Sequence, residues 1–156
     1  MSQIIEQRIA TLLGNFGLIP FFALAAASWV PFGAPYENFV EQALVGYAAV
    51  ILSFLGAVHW GLALATPALG KAQAWNAFGW GIAPSTLAWL ALLLAIAGVH
   101  TGLVYAFLIG DIAICRLMDA ALLRVYGSVP AWYPALRTRL TIGATIALAI
   151  ALASTL

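Results

Sequence analysis

Hydrophobic residues follow one another in long runs along this chain, with few polar interruptions. The runs predict five membrane-spanning helices, because a helix that crosses a bilayer needs about 20 mainly apolar residues. The predicted spans cover residues 9–30, 39–66, 77–97, 102–123 and 137–156. The runs are rich in Ala and Leu and lack the period-two alternation of barrel strands. The pattern therefore indicates an all-α integral membrane protein, with residues 1–156 forming one domain, a single bundle of five transmembrane helices.

The composition supports a lipid environment. Of the 156 residues, 65% are hydrophobic and 7% are charged, whereas soluble domains contain about 25% charged residues. A soluble domain of this length cannot bury so much apolar surface, so the lipid bilayer is the expected partner. The few basic residues form no run, so no nucleic-acid partner is expected. The single cysteine, Cys115, excludes an intrachain disulfide, and too few ligands share one depth for a metal site.

The basic residues predict the orientation of the bundle. All six Lys and Arg residues fall at one end of the predicted bundle: Arg8, Lys71, Arg116, Arg124, Arg137 and Arg139. The other end carries Glu37 and Glu41 instead. The positive-inside rule then places the N-terminus in the cytoplasm and the C-terminus outside. Glu6 offsets Arg8 before the first span, so we expect a retained helix rather than a cleaved signal peptide. Pro20 predicts a kink in that helix.

The second predicted span combines a ridge of small residues with a histidine. Small side chains recur every four positions, at Ala49, Ser53, Ala57 and Gly61, and predict close packing with a neighbouring helix or with a second copy of the chain. His59 lies on a different face of the helix, together with Gly56. Small residues on two faces suit a central helix.

Four polar residues from three spans are expected to share one depth. Asn15, His59, Arg116 and Asp119 all lie roughly 22–24 Å or slightly more from the outer surface at 1.5 Å per residue. Arg116 and Asp119 are three residues apart and are expected to pair along their own helix. His59 is then either an interior histidine bonded to Asn15 or Asp119, a proton relay with Asp119, or a ligand of haem or chlorin. Nothing in the sequence requires a cofactor.

Asp111 stands apart from that layer. It is expected roughly 15 Å from the outer surface, near the midplane, level with Ser53 and Pro20. A buried carboxyl there needs a partner from another helix or stays protonated. The two interpretations are a structural hydrogen bond, to Ser53 or to the carbonyl freed by Pro20, and a proton-handling or cofactor-binding site.

Catalytic chemistry is not indicated by any motif. The chain has no Gly-rich phosphate loop, nucleophile elbow or His-Glu metal motif, so no catalytic residue is predicted and an enzyme is not favoured. Trp60, Trp80 and Trp89 are candidates for lining a lipid or quinone pocket, although membrane helices use Trp widely.

The chain resembles the domain of unknown function 3429 family. The resemblance rests on these residues: Gly17-Leu18-Ile19-Pro20-Phe21, Phe54 to Leu64, Pro84-Ser85, Ala88-Trp89, Asp111, Trp132-Tyr133, Leu136-Arg137 and Leu140-Thr141. Its most specific part is the Ser-Phe-Leu-Gly-Ala-x-His-Trp-Gly core. The resemblance implies a small multi-pass protein of a bacterial inner membrane, with mitochondrial relatives. It implies no activity, so no catalytic residue can be transferred.

Three functional hypotheses follow. The favoured one is an accessory or structural subunit that packs against other membrane proteins in a larger respiratory or photosynthetic complex, supported by the small-residue ridge. The second is a small transporter or proton-conducting protein that uses Asp111 and the His59 layer. The third is a binder of a lipophilic cofactor or quinone.

Overall fold

The fold consists of α-helices joined by short connections. The computed structural model of the protein describes residues 2–66, 69–124, 126 and 129–156. The described residues contain no strand and form six helices: α1 (Ser2–Phe16), α2 (Ile19–Ala27), α3 (Ala34–Ala65), α4 (Lys71–Ile96), α5 (Thr101–Leu122) and α6 (Tyr133–Ala153). The all-α prediction is confirmed.

Five apolar segments among the described residues are long enough to cross a bilayer. Residues 3–27, which comprise most of α1 and all of α2, are the first of them, and α3, α4, α5 and α6 are the others. The prediction of a multi-pass helical membrane protein is therefore confirmed. The predicted loops include residues 67–68, 125 and 127–128, which lie outside the described residues.

Several helices begin before the positions predicted from hydropathy. Helix α3 begins at Ala34 and α6 at Tyr133, and each has a proline in its first turn, Pro35 and Pro134. Proline is favoured there because the first N–H groups of a helix have no intrahelical acceptor and its fixed φ suits the helix. Prolines that the hydropathy pattern assigned to loops therefore mark the starts of these helices.

The first span is broken rather than simply kinked. Gly17 and Leu18 form a turn between α1 and α2, and Pro20 lies in the first turn of α2. Proline has no N–H with which to continue the hydrogen-bond ladder across this point. The hydroxyl of Tyr47 on α3 donates to the Gly17 carbonyl oxygen at 2.8 Å, which satisfies a backbone acceptor at the break.

Helix α3 packs against three other helices, as α5 and α6 also do, but not through both of its small-residue faces, because Ser53, Ala57 and Gly61 are exposed. It contacts α2, α4 and α5, while α6 contacts α5, α2 and α1. The core between these helices contains fully buried side chains from α3, α5 and α6: Leu44, Leu52, Tyr105, Leu108 and Leu148. The tight packing of α3 places His59 inside the bundle.

Helices α3 and α4 approach each other closely at two glycines. A Cβ atom on Gly56 would lie 2.5 Å from the carbonyl oxygen of Gly81, well inside van der Waals contact. The indole of Trp60 covers Gly81 and donates from Nε1 to the Phe78 carbonyl oxygen at 3.0 Å. Small residues let two backbones meet in this way, so Gly56 and Gly81 determine the spacing of the two helices.

The first span packs on α6 through leucines that cover glycines. A Cβ atom on Gly14 would lie 2.8 Å from Leu140 Cδ1, and one on Gly143 would lie 2.6 Å from Leu18 Cδ1. Gly14 therefore accommodates a leucine of α6, and Gly143 accommodates Leu18 from the turn between α1 and α2. These contacts hold α1 and α2 beside α6.

Candidate functional site

A buried charge network connects α3, α5 and α6. Asp119 on α5 binds His59 on α3 through Oδ1, which lies 2.9 Å from the imidazole Nε2. Its Oδ2 accepts from Arg137 on α6, from Nε at 2.8 Å and also from Nη2. His59, Asp119 and Arg137 are each no more than 5% exposed. The carboxylate thus joins three helices in a region from which water is excluded.

Tyr126 completes the network at the end of α5. Its hydroxyl lies 3.2 Å from His59 Nδ1. Burial, together with the nearby Asp119 carboxylate, raises the pKa of Tyr126, so the phenol keeps its proton. His59 donates from Nε2 to Asp119, an assignment made from the hydrogen-bond network. The Asp119 carboxylate and the Arg137 guanidinium carry opposite charges and form a buried ion pair.

The predicted contact between His59 and Asp119 is confirmed, and the predicted pairing of Arg116 with Asp119 is wrong. Arg116 donates instead to the Thr138 hydroxyl oxygen on α6, from Nε at 2.9 Å and Nη2 at 2.7 Å. Asp119 is turned toward Arg137, because its side chain faces the bundle interior. Asn15 lies half-buried on α1.

Both ring nitrogens of His59 make hydrogen bonds, so neither is free to act as a haem or chlorin ligand in this arrangement. Nδ1 is held by Tyr126 and Nε2 by Asp119, and the ring is 1% exposed. Ligation of a metal by His59 would have to break one of these hydrogen bonds. The arrangement is that of a structural imidazole inside a polar network.

Asp111 is buried near the centre of α5 and is only weakly partnered. Its Oδ1 lies 3.8 Å from the thiol of Cys115, one turn further along the helix, and Oδ2 has no hydrogen-bond partner among the described residues. The predicted bond from Ser53 does not form, because the Ser53 hydroxyl donates to the Ala49 carbonyl oxygen of its own helix at 2.9 Å. The structure therefore separates Asp111 from the His59 network.

The small-residue ridge of α3 lies largely on the outer surface. Ala49 is buried, whereas Ser53, Ala57 and Gly61 are exposed. A Cβ atom on Gly61 would meet no described atom within 4 Å. Gly56, on the other face, makes the close contact with α4. Within this chain, the ridge thus contributes little to packing beyond Ala49.

An apolar cavity of about 560 Å³ adjoins the charge network. Its walls come from α1, α2, α3, α5, α6 and the segment before α6. Leu13 on α1 and Phe54 on α3 line it and are 61% and 64% exposed, so the cavity opens sideways toward lipid. Among the described lining residues, Arg137 is the single charged one.

The tryptophans selected from the sequence lie elsewhere. Trp60 and Trp80 are on α3 and α4, and Trp89 is on the lipid-facing surface of α4, 58% exposed. None of them lines the apolar cavity, whose aromatic lining residues are Phe21, Phe54 and Tyr133.

Arg137 and Tyr126 are the residues that sequence reasoning missed. The sequence places Arg137 among the basic residues at one end of the bundle, and nothing in the hydropathy pattern distinguishes Tyr126 from other aromatic residues near the ends of the spans. Because α6 begins at Tyr133, Arg137 lies one turn inside the helix. Pro134 was the available signal, since a proline in the first helical turn indicates that the helix starts before Arg137.

These features define a small multi-pass helical membrane protein with a charge-paired network inside its bundle. Residues 6–153 match the family described as "Protein of unknown function (DUF3429)", and the chain belongs to that family, as its sequence motifs indicated.

Among curated proteins, "Transmembrane protein 69" of Xenopus tropicalis is 37% identical to this chain over 139 residues. The match covers 89% of this chain and 51% of that protein, so the chain spans about half the length of its curated relative. No solved structure matches the chain.

Proposed function

We propose that the protein binds a membrane lipophile in the apolar cavity, with the polar head group of that molecule at Arg137. The observation that carries the proposal is a buried arginine that pairs with Asp119 and also lines an otherwise mostly apolar cavity. A volume of about 560 Å³ falls within the range of small-molecule sites, which are mainly apolar with a few polar groups that fix orientation.

Arg137 retains hydrogen-bonding capacity for such a head group. Asp119 takes up Nε and Nη2, and the guanidinium also carries two N–H groups on Nη1. Tyr133 and Thr141 add hydroxyls to the cavity wall. A carbonyl-bearing ring such as a quinone, or the ester or phosphate group of a lipid, offers the acceptor that these donors require. The sideways opening suits a ligand that enters from the bilayer.

Filling the cavity should remove the bound lipophile. Thr141→Phe places a large side chain in the cavity wall, whereas Ala149→Phe places the same side chain on the exposed face of the same helix. We expect wild-type protein and Ala149→Phe, purified in mild detergent, to carry about one lipophile per chain. Thr141→Phe should lose most of it. The measurement is chromatography and absorption spectroscopy of the organic extract.

Two results would contradict this proposal. One is wild-type protein that carries no lipophile above the level of the detergent-solubilised lipid background. The other is Thr141→Phe protein that folds and retains the same molecule in the same amount as Ala149→Phe. Thermal unfolding of both variants establishes that they are folded before the extracts are compared.

A role as an accessory subunit is a second proposal, supported by a different observation. Ser53, Ala57 and Gly61 form an exposed small-residue surface on α3, and the space beside Gly61 is open. Such surfaces allow close approach of another membrane helix. The partner would be another membrane protein, a respiratory or photosynthetic complex among them, or a second copy of this chain.

A bulky residue on that surface should disrupt the association. We expect Gly61→Leu to lose its partner during mild-detergent purification, while Gly79→Leu, at an exposed and open position of α4, keeps it. Quantitative mass spectrometry of the purified material is the measurement. Equal recovery of the same proteins with both variants, or a monomer without partners in the wild type, would argue against an accessory role.

The orientation and the membrane are also proposals. The concentration of Lys and Arg at one end favours a cytoplasmic N-terminus and a periplasmic C-terminus in a bacterial inner membrane. Labelling of single cysteines in intact cells tests this. A cysteine in place of exposed Glu37 should react with an impermeant reagent, and one in place of exposed Arg139 should not. The reverse pattern would refute the orientation.

A further inference from the structure

A second cavity lies at the other end of the bundle and differs in character. Its volume is about 650 Å³, and it is surrounded by the α2 end, the start of α3, the α4–α5 connection, the start of α5 and the end of α6. Polar residues in its wall include Ser28, Glu37, Glu41, Thr101 and Tyr105. No described residue that lines it is Lys or Arg. The cavity is therefore acidic and polar, and it is distinct from the apolar cavity beside Arg137.

Glu41 is fixed in this cavity by a hydrogen bond. The Thr101 hydroxyl on α5 donates to Glu41 Oε2 at 2.7 Å, across the contact between α3 and α5. That bond leaves Oε1 for another donor. Glu37 lies one helical turn earlier on α3 and is exposed, so a second carboxylate adds negative charge at the cavity mouth.

Tyr105 supplies independent evidence that the cavity is built for a ligand. Its side chain is 0% exposed and lines the cavity, and its hydroxyl makes no hydrogen bond of normal geometry among the described residues. The neighbouring Ser28 hydroxyl donates to the Leu24 carbonyl oxygen. A buried hydroxyl without a partner lowers the stability of the folded protein. A ligand that pairs with the hydroxyl would recover that stability. Glu41 and Tyr105 both line the cavity, and each carries an oxygen that can accept a hydrogen bond.

His100 does not offset this charge. Its Nδ1 accepts a hydrogen bond from the Gly102 backbone N–H at 3.2 Å, which caps α5 and requires an unprotonated Nδ1. The carboxylates of Glu37 and Glu41 thus determine the sign of the electrostatic potential in the cavity, and the potential favours a cation.

We propose that this polar cavity binds an ammonium group, which donates to Glu41 and to the Tyr105 phenol oxygen. A primary ammonium has three N–H donors, and its positive charge matches the acidic wall. A Ca²⁺ ion fits less well, because it needs six to eight oxygen ligands. The ammonium group comes either from the head group of phosphatidylethanolamine or from a free water-soluble amine.

Binding in defined lipid tests the proposal and distinguishes the two sources. The full chain is reconstituted in phosphatidylglycerol nanodiscs, to which phosphatidylethanolamine or soluble ethanolamine is added, and thermal unfolding is recorded against ligand concentration. We expect a saturable rise in melting temperature with one of the two ligands. A response to the lipid alone assigns the lipid head group, and a response to ethanolamine assigns the free amine.

Two variants locate the site. Glu41→Gln should weaken binding about tenfold, the effect of losing one charge-assisted hydrogen bond. Tyr105→Phe should weaken it several-fold, while the ligand-free protein unfolds at the same or a higher temperature, because an unpaired buried hydroxyl is removed. Glu6→Gln, a matched charge change on exposed α1, should leave binding unchanged.

Three results would overturn the proposal. The first is the absence of a saturable response to either amine. The second is a response that is unchanged in both Glu41→Gln and Tyr105→Phe. The third is saturation by Ca²⁺ at lower concentration than by either amine, which would make the cavity a metal site.

Discussion

Asp119→Asn is expected to destabilise the protein by about 3–5 kcal/mol, the usual cost of removing one partner from a buried ion pair. The substitution preserves the shape of the side chain and removes the charge that balances Arg137, which is 5% exposed. It also disturbs His59, since an amide nitrogen facing Nε2 would be a donor opposite a donor. Titration of the reconstituted protein with denaturing detergent gives the free energy of unfolding.

The double variant Asp119→Asn/Arg137→Gln separates charge from shape. It removes both charges and leaves two amides that can bond to each other, so we expect it to recover more than half of the lost free energy. Glu6→Gln, on the exposed face of α1, should change the free energy of unfolding by less than about 0.5 kcal/mol. A loss below about 1 kcal/mol for Asp119→Asn would mean that Asp119 and Arg137 are not a buried pair.

Gly56→Ala is expected to destabilise the protein by about 1–3 kcal/mol, as overpacking of a tight contact does. The added Cβ would lie 2.5 Å from the Gly81 carbonyl oxygen, and backbone atoms cannot rotate away as a flexible side chain can. The α3 and α4 backbones must separate, which also loosens the contact of Trp60 with Gly81. The same unfolding titration measures the effect.

Gly61→Ala is the matched control for this prediction. It makes the identical substitution on the same helix, at a position where the new Cβ meets no described atom within 4 Å. We expect no loss of stability there and a gain of up to about 1 kcal/mol, because alanine is the better helix former. Equal effects at Gly56 and Gly61 would show that α3 and α4 do not approach as closely as described.

The class of fold was predictable from the sequence for a simple physical reason. A helix that crosses lipid must satisfy its own backbone and present about 20 apolar residues, so each span is visible as a run. Because an α-helix rises by a constant distance per residue, the depths of His59 and Asp119 could be estimated from the helix ends. The two residues lie at a similar depth, and the structure shows a hydrogen bond between them. Family membership followed from motifs spread along the chain.

The partners of the polar residues were not predictable in the same way. The choice between Arg116 and Arg137 as the partner of Asp119 depends on which faces of α5 and α6 are in contact. A run of hydrophobic residues does not indicate which face of a helix contacts its neighbour. The predicted span begins at residue 137, which leaves Pro134 outside the helix. Arg137 then stands at the end of the span and not, as in the structure, one turn inside α6. Asp111 and Ser53 share a depth but not a direction, because Ser53 faces outward and bonds to its own helix.

The two cavities could not be predicted from the sequence either. The apolar cavity exists because α1 leans on α6 through Gly14 and Leu140 and leaves space beside α3. A gap between helices is a property of their packing and leaves no pattern along the chain. The tryptophans that suggested a pocket lie on other surfaces of α3 and α4.

Photolabelling tests the proposed lipophile site most directly, because it locates the bound molecule within the fold. The protein is reconstituted in phosphatidylglycerol vesicles that contain a small fraction of phosphatidylglycerol with a diazirine in its acyl chain, and labelled peptides are mapped by mass spectrometry. We predict labelling concentrated on half-buried cavity residues of α1 and α6, such as Gly14 and Leu136, and reduced by the lipophile extracted from the native membrane. Labelling spread evenly over lipid-facing residues such as Leu64 and Leu117, without competition, would contradict the proposed site.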